Sequence, residues 1–248
     1  MARSRKILCR SIAFLALAGA SAFAQSSVIF LAFNSLGDQQ AAANFYNGSG
    51  APTTPNYGIT FSSNFFGLVS ECAFGSTPGD CEPGGTGTGA YIPNPTATSS
   101  IFIPGMTGAP VTGVMNVPSG FTTGFNFFYT AAFPETVTVW SGANGTGTAL
   151  ATTTVSNNDA GCTSPAYCQW AQIGMTFSGT AQSVTFAGPA NGIGLSDFTI
   201  GSNVTFLRGS MQGGCCFNVL VRGKRNVTQQ QNNLPAQPMM PSLPEMRR

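Results

Sequence analysis

The sequence predicts an all-β protein: a jelly-roll-like β-sandwich of short antiparallel strands, followed by a disordered C-terminal tail. Three observations carry that expectation. Between positions 25 and 207 the apolar residues recur with period two. Gly, Asn, Pro and Ser interrupt those runs at short intervals, as turns between short strands require. No segment there has a convincing helical period.

Each element follows from its own residues. Tyr57, Ile59 and Phe61 alternate with Gly58, Thr60 and Ser62, and Phe125, Phe127 and Tyr129 alternate with Gly124, Asn126 and Phe128, so both segments read as half-buried strands. Glu135 to Ser141 places Val137 and Val139 on one face and Thr136, Thr138 and Trp140 on the other. The chain then reverses through Gly142-Ala-Asn144-Gly145, where Asn-Gly is a strong hairpin signal. Val184 and Phe186 share a face. Ile193 and Leu195 also share one, but Phe198 and Ile200 have the opposite parity, and a bulge near Ser196-Asp197 would bring all four to the same side.

The ends read differently. Residues 1–24 form a secretory signal: Arg3, Arg5, Lys6 and Arg10, an apolar run from Ile12 to Gly19, and Ala22-Phe23-Ala24 as the small-x-small cleavage site. That run is well short of the roughly 20 residues of a spanning helix, so no transmembrane anchor is expected. Residues 25–207 make the sandwich domain, and residues 208–248 make a basic tail rich in Gln, Asn and Pro. Cys9 leaves with the signal, and six cysteines remain, an even number that in an exported chain points to disulfides. Cys72 with Cys81 and Cys162 with Cys168 each bracket a Gly/Pro/Ser/Thr-rich loop able to close on itself, for about 2–3 kcal/mol per bridge. Cys215 and Cys216 are adjacent, so a bond between them would strain the backbone.

Charge narrows the chemistry. All ten Lys and Arg residues lie outside positions 25 to 207, a stretch that holds seven carboxylates, for a formal net charge of −7, and the chain has no His. A Ser or Cys nucleophile would have no basic side chain in the domain to activate it. Phosphate would find no cation there, and Arg222-Gly-Lys-Arg225 in the tail is too short and too poor in aromatics for a nucleic-acid site. No catalytic residue is assigned. A glycosidase needs only two carboxylates, and Asp80, Glu82 and Glu135 are the groups to consider, but no pair among them has the required setting.

Several segments together resemble the ectodomains of bacterial PEP-CTERM exported proteins: Asn44-Phe-Tyr-Asn47-Gly48, Asn56 to Asn64, Gly124 to Tyr129, Val137 to Gly147, and Phe177 to Val184 with Ile193 to Ile200. The resemblance runs in matching order over roughly residues 30 to 202. It implies an exported, non-enzymatic β-sandwich associated with exopolysaccharide or the cell surface. The chain departs from the family at its C-terminus, where Pro244-Glu245-Met246-Arg247-Arg248 follows no apolar sorting helix. Jelly-roll modules of this kind often hold calcium between their first and last strands. On that basis Asn34, Asp38 and Asp197 are the candidate ligands for Ca²⁺, the one cofactor considered, although Ser196 stands where related strands carry a carboxylate.

The expected function is that of a surface or extracellular-matrix protein. The alternative is a carbohydrate-binding module with structural calcium, in which Trp140, Tyr46 and Tyr57 would stack on sugar, with Tyr91, Tyr167 and Trp170 as supplements. Extracellular polysaccharide is the expected partner. Self-association is a further route to assembly, because the domain has no Lys to block pairing at its strand edges.

Overall fold

The computed structural model describes residues 28–202, apart from 51, 95 and 164. The signal segment, the basic tail, Cys215 and Cys216 lie outside the described residues. Among the described residues, eleven strands form two antiparallel sheets, with two short helical turns at Phe45–Ser49 and Ala143–Gly145.

The first sheet contains β3 (Phe66–Val69), β4 (Ser99–Phe102), β11 (Ile193–Ile200), β6 (Gly124–Ala131) and β9 (Ala171–Thr176) in that order, and β1 (Ile29–Leu31) pairs with the far end of β11. The second runs β2 (Thr60–Phe61), β5 (Pro110–Phe121), β10 (Ala181–Pro189), β7 (Glu135–Trp140) and β8 (Ala149–Val155). The expected all-β sandwich is therefore the fold.

Phenylalanine fills the space between the sheets. Phe125 and Phe127 on β6, Phe198 on β11 and Phe186 on β10 are fully buried and meet mostly edge to face, with ring centroids 5.4–6.2 Å apart. Phe186 and Phe198 form the stacked exception, 5.6 Å apart with planes 16° off parallel. Rings of this size supply apolar area that a domain with so few Leu residues could not otherwise bury.

The parity change is resolved as the sequence requires. Pairing of β11 with β6 shifts register between Ser196 and Thr199, and Asp197 takes a left-handed φ of 51°. Ile193, Leu195, Phe198 and Ile200 all point into the core. At the β7–β8 hairpin, Asn144 and Gly145 both take positive φ, 56° and 70°, which Asn and Gly tolerate.

One expectation needs correction. The strand of Phe125, Phe127 and Tyr129 is not half-buried, since Asn126 and Thr130 on its other face are 1 % exposed as well. The outer face of the first sheet is covered by the irregular segments that carry the cysteines. Tyr91 and Tyr167 from those segments enclose a cavity of about 150 Å³ with Ser100, Thr130 and Gly194 of the sheet.

Candidate functional site

The two covering segments are stitched together from the backbone outward. Both expected disulfides are formed, Cys72–Cys81 and Cys162–Cys168, with Cα separations of 5.1 and 5.5 Å. They do not stand apart from one another: all four cysteines pack with Ile92 into a small second core outside the main one. Main-chain bonds from Ile92 N to Tyr167 O (2.9 Å) and from Tyr167 N to Ala90 O (3.2 Å) join the two segments side by side.

Each loop is fixed locally. Within 72–81, Asp80 N donates to Thr77 O at 2.9 Å, and Ser76 Oγ donates to Ala73 O at 2.8 Å while accepting from Glu82 N. Gly75 and Gly79 take φ of 96° and 85°, conformations that side-chain-bearing residues avoid. In the second loop the organiser is Asp159. Its carboxylate accepts from Thr130 Oγ1 at 3.0 Å, Cys168 N at 3.2 Å and Gln169 N at 3.3 Å. Burial pushes the Asp159 carboxyl above its ordinary range, against the pull of these donors.

Between the loops lies an open trough of about 520 Å³, within the roughly 300–1,000 Å³ of small-molecule sites. Phe74 and Pro78 come to it from the first disulfide loop, Gln169 and Trp170 from the end of the second, and Ile92 and Asn94 from the segment between. Phe74 is 60 % exposed, an unusual position for a large ring with no polar atom. Trp170 is half-buried, its Nε1 donating to Ile92 O at 2.6 Å and its ring set edge to face on Tyr91 at 5.9 Å. Asn94 donates through Nδ2 to Asp197 Oδ2 at 3.1 Å and accepts at Oδ1 from Thr96 N at 3.0 Å. The trough thus offers two aromatic surfaces with the exposed Gln169 amide beside them, and no cation.

The sequence-derived positions fall in other places. Tyr46 is corrected from a surface platform to a core residue: it is 2 % exposed, meets Phe33 and Phe45 edge to face, and its hydroxyl donates to Ala32 O at 2.5 Å. Tyr57 is 36 % exposed and stacks on Tyr46, rings 6.1 Å apart. Trp140 lies half-buried on the outer face of the second sheet, its Nε1 donating to Thr185 Oγ1 at 2.9 Å. None of these three lines the trough.

The calcium set is also dispersed. Asp38 spends its carboxylate on Val69 N (2.8 Å), Thr88 N (3.1 Å) and Thr88 Oγ1 (2.7 Å), tying β3 to the loop at Thr88. Asp197 is 1 % exposed and accepts from Asn94 and Thr96 at Oδ2, while its Oδ1 has no hydrogen-bond partner among the described residues. Burial raises its carboxyl above the ordinary range. Asn34 is exposed. The three share no partner, and among the described residues no group of three or more His, Cys, Asp or Glu is placed to hold a metal. A hard cation with six to eight oxygen ligands does not fit this donor set as it stands.

Of the glycosidase carboxylates, Asp80 and Glu82 are exposed in the first disulfide loop. Glu135 is 2 % exposed at the start of β7, and burial lifts its carboxyl to about 7. It is wedged against Gly188, where an added Cβ would come within 2.5 Å of Glu135 Cγ. No helix among the described residues is long and apolar enough to cross a membrane.

No family model matches the chain, and no curated protein matches it. Solved structures do match, at low identity and with TM-scores under 0.5. A family 6 carbohydrate-binding module is 22 % identical, aligned over 46 % of this chain and 80 % of its own, with a TM-score of 0.29. CsCBM6-3 from Clostridium stercorarium, solved with cellobiose, is 16 % identical over 58 % of this chain and 92 % of its own, at a TM-score of 0.30. An adhesin domain of Lys-gingipain from Porphyromonas gingivalis is 13 % identical over 56 % and 92 %, at 0.33. The ligands named for those proteins are theirs. A site in this chain is assigned from its own residues.

Proposed function

We propose that this chain is an exported, non-enzymatic β-sandwich that binds polysaccharide at the cell surface or in the extracellular matrix through the trough between its two disulfide loops. One observation carries the reading: Phe74 and Trp170, delivered by two separately cross-linked loops, line the same open trough. An aromatic face takes up the apolar face of a pyranose ring without any charged partner, and amides beside it satisfy the hydroxyls. Exposed Gln169 supplies such an amide here, while buried Asn94 forms the wall behind it. The rigidity of the loops matters as much as the rings, because a site already held in its binding shape loses less entropy on association.

The resemblance to PEP-CTERM ectodomains leads to the same setting, outside the cell and beside exopolysaccharide. Two disulfides suit an oxidising compartment.

Affinity electrophoresis of the secreted protein through gels containing different polysaccharides tests the proposal. Retardation by at least one polymer, relieved in Phe74→Ala, is the expected result. Equal migration of wild type and Phe74→Ala in every gel would reject the trough as the site.

A further inference from the structure

We infer that the trough selects uncharged glycans and turns away polymers of uronic acids or sulfated sugars. This rests on the polysaccharide-binding reading and specifies its ligand class. The first ground is the lack of any Lys, Arg or His from 25 to 207. An anionic group entering the trough would leave water with only neutral amides to replace it, and an anion desolvated without a cationic partner is costly.

The second ground is where the domain's carboxylates sit. Two of the seven are bonded to residues of the trough wall, and two more stand on or beside the loop that forms one side of it. Asp80 and Glu82 are exposed on the loop that carries Phe74 and Pro78. Asp159 accepts hydrogen bonds from the main chain of Cys168 and Gln169, both of which line the trough. Asp197 is bonded to the side chain of Asn94, which forms the wall between. Charges within the Debye length of about 8 Å at physiological ionic strength are only partly screened, and buried ones less than exposed ones. Carboxylates on one loop and behind the wall disfavour an anion and leave a neutral sugar unaffected.

The basic residues of 208–248 must be separated from this effect, since they can attract acidic polymers on their own account. The experiment therefore uses the full secreted chain, wild type and Phe74→Ala, with Trp170→Ala as a second variant whose folding is checked by circular dichroism. Laminarin, xyloglucan and galactomannan serve as neutral probes and alginate and polygalacturonate as acidic ones, each at low and high salt. Neutral binding that is insensitive to salt and falls about tenfold or more in Phe74→Ala supports the inference. So does acidic binding that persists in Phe74→Ala and vanishes at high salt, because it then occurs outside the trough. Acidic polymers bound as tightly as neutral ones, with that binding lost in Phe74→Ala, would overturn the inference while leaving polysaccharide binding intact. Binding of no polymer at all would remove both.

Discussion

Trp170 Nε1 donates to the main-chain oxygen of Ile92 at 2.6 Å, so the largest ring of the trough is tethered to the centre of the small core that holds both disulfides. Phe74, in contrast, is 60 % exposed and has no polar atom to tether. The two rings should therefore separate binding from stability. Trp170→Phe keeps an aromatic face but leaves the Ile92 oxygen without its donor, a loss of about 1–3 kcal/mol. Phe74→Ala should change stability by less than about 0.5 kcal/mol, as an exposed side chain does. Urea unfolding of both variants checks this, and a larger cost for Phe74→Ala would show that the ring packs against the fold.

Much of the fold was legible because its signals are local. The opposite parity of Leu195 and Phe198 called for a bulge, and the register shift and the φ of Asp197 supply it. The two disulfides followed from short loops that can close. The trough was not legible, because residues 74 and 170 meet only through the pairing of two irregular segments that have no period. Trp140 and Trp170 look alike in the sequence, and only the fold puts one on a sheet face and the other in the trough. A weak signal was present: Cys72-Ala-Phe74 and Cys168-Gln-Trp170 each place an aromatic two residues after a bridged cysteine. Tyr46 misled because a ring followed by turn residues reads as surface, whereas its hydroxyl finds the Ala32 oxygen inside the domain.

The disulfides should matter more to binding than to folding. Each closes a short loop and adds about 2–3 kcal/mol on the loop-entropy model. The main core is made by other residues, from Leu31 to Ile200, and contains no cysteine. Mild reduction, or Cys72→Ala with Cys81→Ala, should abolish retardation by polysaccharide while far-ultraviolet circular dichroism keeps its β signature. Loss of both signals together would show that the loops and the sandwich unfold as one unit.

Stability should fall as pH rises from 4.5 towards 7. The Glu135 carboxyl has an ordinary value of 4.5 and is lifted by burial to about 7, so the folded state holds its proton more tightly than the unfolded chain. Folding is favoured below the lower value, and that advantage is lost as pH passes the upper one, by about 3 kcal/mol. Asp159 and Asp197 are raised in the same direction. Denaturant midpoints measured across this range should drop for wild type and drop less for Glu135→Gln. Identical slopes in the two proteins would mean that Glu135 is hydrated in the folded state.

Deletion of Asp197 should be tolerated better than deletion of a neighbour. In the ladder with β6 the extra residue lies between Ser196, opposite Phe128, and Thr199, opposite Asn126. Removing one residue there leaves an unbroken alternation in which Ile193, Leu195, Phe198 and Ile200 still face inward. Removing Ile193 or Leu195 costs a core side chain and displaces the pairing with β4 at Gly194 and Leu195. The deletion also discards a buried carboxylate that has no cation beside it, which offsets part of the lost contacts to Asn94 and Thr96. What it should damage is the trough, because Asn94 loses the partner that fixes its amide. Thermal melts should show the Asp197 deletion folding cooperatively and the Leu195 deletion failing to, with weaker polysaccharide retardation for the former. Unimpaired retardation would show that the Asn94 amide is held without Asp197.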